Sequence, residues 1–249
     1  MIPVDIVIPH YGPDSDLQEC LKSIPTEYAL DTVINRKDYG NNVVSRLQII
    51  DNNKENRGFT KAVNLGIANV LDCGSEYVAI VNNDVIALEN PFQPMLEFME
   101  QNPKCGIIGP KIVHHTNHDQ IVHAGGEQVY PNGIHRTGSV SLGQWNKACR
   151  VKWLSFVVVV IRKSAIVRTG LLDEHFFLVC SDSDYCYRLR YEGYDCWYCP
   201  DSVWSHRIGE SGVPTSEKSM KIQRKDTWQF YKKWKSDGVF EEIDKEFIE

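Results

Sequence analysis

An α/β fold is what the sequence predicts: a Rossmann-like, mostly parallel central sheet flanked by helices, followed by a helical tail. Short β-branched runs alternate with amphipathic helical periods from the N-terminus to Gly109, the order in which right-handed crossovers build a parallel sheet. Three polar triplets, Pro9-His10-Tyr11, Asp51-Asn52-Asn53 and Asn82-Asn83-Asp84, each follow a predicted strand, so they gather at the carboxyl edge where open sheets bind ligands. The chain has 249 residues, 42% hydrophobic and 24% charged, which suffices for one large core and excludes intrinsic disorder.

The elements follow in order. Residues 4–9 (VDIVIP) read as the first strand, and Ser15 with Gln18 offers a capping box for a helix that buries Leu17, Leu21 and Ile24. Residues 47–50 are a second strand, after which Phe59, Val63, Ile67 and Val70 share one helical face. Residues 77–81 are a third strand. Asn90 and Pro91 take the cap and first-turn positions of a helix burying Phe92, Met95, Leu96 and Met99. A fourth strand spans 106–109. Between 112 and 153 the chain turns to Gly, His, Asn and Thr, a composition of loops and short hairpins. An apolar strand over 154–161 leads to a short helix over 164–169, stopped by Gly170, and then to a helix over 184–192, stopped by Gly193. A final helix covers 217–235, and no internal repeat is present.

Charge and cysteine usage narrow the class. With 27 Lys and Arg against 33 Asp and Glu, the net charge of −6 argues against a nucleic-acid coat, so any anionic ligand must be held locally. The one local basic patch is the tail helix, with Lys218, Lys221, Arg224, Lys225, Lys232, Lys233 and Lys235 against Glu217 and Asp226; residues 241–249 return to acid. The longest apolar stretch, 153–161, is about half of the ~20 residues a membrane-spanning helix needs. The N-terminus carries no basic region followed by an apolar run, so the expectation is a soluble cytoplasmic protein without a signal peptide or transmembrane segment. The eight cysteines are then expected to be reduced thiols. Cys196 and Cys199 have zinc-like spacing, with Cys180 and Cys186 as conceivable partners, but in a strand they point to opposite faces, which favours core positions. His114, His115, His118, His123 and His135 crowd the middle region; a metal cluster is conceivable there, and a polar loop running into a strand is favoured.

Taken with their order and spacing, several segments resemble the inverting family 2 glycosyltransferases of the GT-A fold, especially rhamnosyltransferase-like members. They are VDIVIPHYG, IIDNNKENRGFTKAVNLGI, IVNNDV, GIIGPKI, AGG, WLSFVVVVIRKSA, LLDEHFFL, SDSDYCYRLRYEGY and CPDSVWSH, spread between Val4 and His206. The resemblance implies one domain, 1–249, with a nucleotide-sugar-binding half (1–111), an acceptor and catalytic half (112–212) and a helical tail (213–249). It implies donor nucleotide contacts at Pro9, His10, Tyr11, Asp51, Arg57 and Asn83, with Asp51 reading a uracil or thymine base. Asp84 then holds Mn²⁺ or Mg²⁺, His206 is a candidate second ligand, and Asp182 is the catalytic base. Trp153, Phe156 and Asp184 are acceptor-site candidates, with Asp184 also read as capping its helix.

The function so implied is metal-dependent transfer, with inversion, from a nucleoside-diphosphate sugar to a hydroxyl of a carbohydrate or glycoconjugate, in the making of a polysaccharide or a glycoprotein glycan. UDP- or dTDP-sugars are favoured, and a GDP-sugar is possible. No nucleic-acid partner is implied. The basic tail and Arg207 would lie over the diphosphate, face an anionic lipid-linked acceptor, or form a solvated face. Three positions depart from the family's pattern: Asn82 replaces the first metal-motif Asp, Phe156 stands where Gly is usual, and Ser181 replaces the Glu before Asp182. They motivate a rival reading, a catalytically weakened nucleotide-sugar-binding module of the same fold. A sugar-nucleotide pyrophosphorylase is set aside, because Pro9-His10-Tyr11-Gly12 supplies no Gly-rich phosphate loop.

Overall fold

The structure is a computed structural model and describes residues 2–28, 32–34, 47–128, 134–207 and 217–235. In chain order its elements are β1 (Asp5–His10), α1 (Asp14–Ser23), a 3-10 turn (Thr26–Tyr28), β2 (Thr32–Ile34), β3 (Leu47–Asp51), α2 (Phe59–Val70), β4 (Tyr77–Val81), β5 (Val85–Glu89), α3 (Gln93–Gln101) and β6 (Cys105–His114). They continue with β7 (Gln120–His123), β8 (Gly126–Gln128), β9 (Ile134–His135), β10 (Gly138–Ser139), β11 (Cys149–Arg150), β12 (Val158–Arg162), α4 (Lys163–Thr169), α5 (Ser181–Tyr191), β13 (Asp195–His206) and α6 (Glu217–Lys235).

One sheet organises the chain, in the order β10-β7-β6-β12-β4-β1-β3-β2. Its first half is parallel as expected: β1 pairs in parallel with β3 and β4, and β2 with β3. The second half is mixed. β12 inserts antiparallel between β4 and β6, and β13 runs parallel to β6 while pairing antiparallel with β5 and β11. A strand buried on both faces reads as a continuous apolar run whichever way it points, so the sequence of β12 carries no signal of its direction.

Alternation in β1 divides the core into two layers. Val7 joins a cluster with α2, α4, α5 and α6, including Val63, Ile67, Phe156, Tyr185, Tyr187, Phe230 and Trp234. Ile6 and Ile8 face the opposite layer, with Leu17, Cys20, Phe92, Met95, Leu96, Met99 and Trp204. Helix α2 lies so close to β1 that a Cβ on Gly66 would stand 2.2 Å from Val7 Cγ1. Beneath the sheet, the Lys163 ammonium is buried on Asp5 Oδ2 at 2.8 Å and donates to the carbonyls of Val70 at 2.5 Å and Cys73 at 2.9 Å. Ser75 completes the Asp5 shell at 2.5 Å.

Several local expectations are corrected. Helix α1 starts at Asp14 behind Pro13, whose fixed φ of −65° sets the entry, and no side chain caps it, so Ser15 and Gln18 form no capping box. Asn90 has φ 41° and lies outside α3, which begins at Gln93 with Pro94 in its first turn. The fourth strand extends from 106–109 to the whole of β6, and β2 and β5 were not expected. Helix α5 opens at Ser181 after Cys180, a non-glycine residue at φ 68°, and no side chain caps it either; Asp184 belongs to its first turn. All eight cysteines are free. Cys196 and Cys199 are buried in opposite layers, which removes the zinc reading, and among the described residues no group of three His, Cys, Asp or Glu is placed to hold a metal ion. Residues 241–249 lie outside the described residues. No helix among those described is long and apolar enough to cross a membrane.

Candidate functional site

The carboxyl edge of the parallel half gathers the first set of polar residues. His10 and Asp51 are register partners at the ends of β1 and β3. His10 Nε2 is 2.9 Å from Asp14 Oδ1 and 3.0 Å from Asn53 Nδ2. Asn53 ties the two loops together, since its Oδ1 accepts the Gly12 N–H at 2.9 Å while its own N–H donates to Asp51 Oδ1 at 2.9 Å. Pro9 is buried within β1, whereas Tyr11 is half exposed. Buried Asn52 shapes the next turn: Oδ1 accepts the Arg57 N–H at 3.0 Å and Nδ2 donates to the Gly58 carbonyl at 3.3 Å. Arg57 is thereby held at the edge, with Glu55 3.9 Å away. In the turn after β4, buried Asn83 donates to the Tyr11 carbonyl at 3.3 Å.

Asp84 occupies the tight turn between β4 and β5. Because β5 pairs with β13, placing Val85 opposite His206, the turn brings the Asp84 carboxylate within 3.3 Å of His206 Nε2. The Arg207 N–H also reaches the Asp84 carbonyl at 3.2 Å. A carboxylate and an imidazole facing each other suit a divalent ion such as Mn²⁺, which accepts both donor types. Asp84 and His206 are thus donors whose chemistry would fit the implied metal. Asn82, two residues earlier, has its amide oxygen buried without a hydrogen-bond partner among the described residues. Arg207 is committed elsewhere, to Asp16 at 2.6 Å and to Glu19, and does not lie free over this turn.

Asp182 enters from the second half of the chain, in the first turn of α5. Its Oδ1 accepts the Ser183 N–H at 2.8 Å. Burial pushes its carboxyl up to about 6, although backbone N–H groups of Ser183, Asp182 itself and Phe156 favour the charged form. The Phe156 ring is buried edge-on against Tyr185, with centroids 5.8 Å apart. Trp153 is buried too, its indole nitrogen over Gly126 so closely that a Cβ there would be 1.9 Å away. Two of the five clustered histidines pack on it: His123 and His135 meet Nδ1 to Nδ1 at 2.8 Å, and burial with the nearby His135 and Arg136 pushes the His123 imidazole well below its ordinary value. Asp184, read as an acceptor contact and a cap, makes no capping hydrogen bond. Its oxygens are taken by Arg188 at 2.9 Å, Lys233 at 2.8 Å and Trp234 at 3.0 Å, so it fastens α6 to α5.

The loop between α4 and α5 joins the two halves, and several of its clamps were not singled out from the sequence. Asn64 on α2 pairs with the Leu172 backbone in both directions at 2.9 Å, and the Phe59 N–H donates to the Phe177 carbonyl at 2.8 Å. Gly58, at φ 84°, lets Phe177 approach, since a Cβ there would be 2.6 Å from that carbonyl. From α6, Asp226 Oδ2 accepts the N–H groups of Phe177, Leu178 and Val179. Lys233 bonds Asp173 at 2.6 Å; burial would raise the Asp173 carboxyl, but hydrogen bonds from Lys233 and His175 hold it well below the usual range. The only legible hint of Asp226 was its isolation as an acid inside a basic helix.

Comparison with known proteins adds an independent line. Residues 5–176 match the model of a family described as Glycosyl transferase family 2. The dTDP-rhamnosyl transferase RfbF of Shigella flexneri is 27% identical over 158 residues, which is 64% of this chain and 51% of that protein. The N-acetylglucosaminyl-diphospho-decaprenol L-rhamnosyltransferase of Mycobacterium tuberculosis is 25% identical over 199 residues, 70% of this chain and 64% of that protein. The chain thus spans between about half and just under two thirds of the length of these curated relatives. Among solved structures, GalNAc-T7 with UDP, GalNAc and Mn²⁺ superposes with a TM-score of 0.61 at 13% identity, covering 92% of this chain and 50% of that one. S. aureus TarS gives 0.54 at 10% identity, covering 90% and 38%. At such identities the likeness is one of architecture, the GT-A fold.

Proposed function

Because the chain belongs to glycosyl transferase family 2, we propose that it moves a sugar from a nucleoside-diphosphate sugar to a hydroxyl of a glycan or glycoconjugate, inverting the anomeric centre. The donor favoured is a UDP- or dTDP-sugar. Within one domain, the half to residue 111 would bind the donor through Pro9, His10, Tyr11, Asp51, Arg57 and Asn83, and residues 112–212 would receive the acceptor. Two contacts support this reading: the Asp84–His206 pair at 3.3 Å joins the turn after β4 to the end of β13, and the loop preceding α5, the helix that carries Asp182, is bonded to the start of α2 through the Phe177 carbonyl and the Phe59 N–H.

Asp182 supplies the proton acceptor. As the acceptor oxygen attacks the anomeric carbon, its proton passes to the Asp182 carboxylate, a C–O bond forms on one face, and the bond to the diphosphate oxygen breaks on the other. A carboxyl raised to about 6 is ionised at neutral pH and more basic than an ordinary aspartate, as proton acceptance requires. Asp84 and His206 would hold Mn²⁺ or Mg²⁺, which when bound supplies Lewis-acid stabilisation of the leaving diphosphate. Asn52 and Asn53 orient the donor loops, and the buried Phe156 ring would limit the room for an acceptor.

A panel of UDP-, dTDP- and GDP-sugars with Mn²⁺ tests the proposal by release of free nucleoside diphosphate, with binding measured in parallel. The expected result is release with one donor class. Tight binding with no turnover of any donor favours the weakened binding module, for which Asn82, Phe156 and Ser181 speak.

A further inference from the structure

The inward face of α6 is explained by the clamps on Asp184 and residues 177–179, but its outward face is not. Asp226, Phe230 and Trp234 form the buried stripe. On the opposite side, Lys221, Lys225, Trp228 and Lys232 recur at spacings of four, three and four, a single helical stripe, with Arg224 beside Trp228 and all five exposed. Trp228 is 59% exposed, an unusual place for an indole, and Met220 nearby is 41% exposed. Tyr231 stacks on Trp228 at 5.4 Å and an interplanar angle of 9°, while the Lys232 ammonium lies 6.0 Å from the indole centroid. The exposed indole is therefore stacked on Tyr231 with the Lys232 ammonium beside it.

We propose that this face of α6 docks on the anionic surface of a lipid bilayer. Charge complementarity selects the occupant: the whole chain carries −6, so only a concentrated positive stripe can be drawn to a negative surface while the remainder is repelled. The exposed Trp228 and Met220 decide between a membrane and another polyanion. An indole prefers the headgroup boundary, where its apolar body is buried and its N–H stays wet, and a thioether side chain gains nothing from phosphates alone. The partner is thus a bilayer displaying acidic headgroups, met by electrostatics and a shallow aromatic contact. The inner stripe of the same helix grips the segment leading to Asp182, so docking would hold that carboxylate at a fixed stance to the membrane. This last consequence alone rests on the proposed function.

Cosedimentation of the full chain with phosphatidylcholine vesicles, with and without phosphatidylglycerol, is the test. Binding is expected only to the acidic vesicles, to vanish at high salt, and to fall by about tenfold or more in Lys221→Glu/Lys232→Glu. Trp228→Ala should weaken it several-fold, and quenching of tryptophan emission by brominated lipid should be lost in Trp228→Phe. Far-UV circular dichroism confirms that each variant keeps its fold, with Lys225→Glu as a further charge reversal. Equal binding to neutral vesicles, absence of binding, variants that bind like the parent, or binding of a single-stranded oligonucleotide in place of vesicles would each overturn the proposal. None of these readouts depends on sugar transfer.

Discussion

The Asp226 carboxylate, fully buried on α6, accepts the Leu178 backbone N–H at 2.7 Å, and the same oxygen takes those of Phe177 and Val179 at 3.0 Å each. Three consecutive amides aimed at one oxygen form an anion nest, here filled by the protein itself. Asp226→Ala would leave three donors unsatisfied and is expected to cost about 3 kcal/mol or more in denaturant unfolding. Among the described residues the other oxygen has no hydrogen-bond partner, so Asp226→Asn, with its carbonyl in the nest, should lose much less. Because these amides lie just before α5, transfer by Asp226→Asn should show a lower kcat with donor KM little changed.

Asp182 links pH to both activity and stability. Its carboxyl is raised by burial to about 6 from an ordinary value of 3.8, so the folded state binds a proton more tightly than the unfolded chain. Its contribution to stability is present below pH 4 and is lost as pH rises through 6, up to about 3 kcal/mol. Asp182→Asn should therefore be more stable than the parent at pH 8 and gain little at pH 4, as thermal unfolding across that range would read. Transfer should follow the opposite limb, rising with pH as the base ionises near 6. A profile flat from pH 5 to 8 would contradict the assignment.

How far these residues were visible beforehand depended on the range of the interaction. Polar triplets after β1, β3 and β4 were readable because strand ends and their edge follow from local pattern. The α6 limits were readable from a long helical period, and Cys196 and Cys199 from strand alternation. The contacts of Asp226, Asn64 and Phe177 were not, since each acts across dozens of residues on backbone atoms that carry no sequence signature. The direction of β12 was hidden for a related reason: burial on both faces erases alternation. Asp184 was misread because an acid in a first turn looks like a cap, and only the partners Lys233 and Trp234, brought by tertiary packing, show what it does.

The pairing of Asp84 with His206 predicts how metal dependence divides between them. Asp84→Ala removes the carboxylate at the turn and should abolish the Mn²⁺-dependent part of nucleotide binding, measured by calorimetry with and without chelator. His206→Ala leaves that carboxylate and should weaken the same component without abolishing it. Nucleotide affinity in the parent that is indifferent to chelation would remove the metal from both residues.

Lys163 and Asp5 make a prediction about stability alone. The pair is buried at 2.8 Å and satisfied by two carbonyls and Ser75, so removing one member strands a charge. Lys163→Met should cost about 3–5 kcal/mol in chemical denaturation. Adding Asp5→Asn to it should recover part of that loss, because the stranded carboxylate is then neutral. A double variant as unstable as the sum of the two singles would mean that the charges are uncoupled.

Phe156 separates room at the site from the chemistry of its base. The Phe156 backbone N–H supports the Asp182 carboxylate, whereas its ring packs against Tyr185 and is almost wholly buried. Phe156→Ala deletes the ring and keeps the amide, so unfolding should become easier by about 3–5 kcal/mol while the pH limb near 6 stays in place. If the ring bounds the acceptor pocket, the same variant should accept bulkier acceptors, seen as a rise in kcat/KM for them relative to the smallest acceptor used by the parent. A shifted pH limb with unchanged acceptor range would reverse the assignment, making the ring a support for Asp182 and not a wall of the pocket.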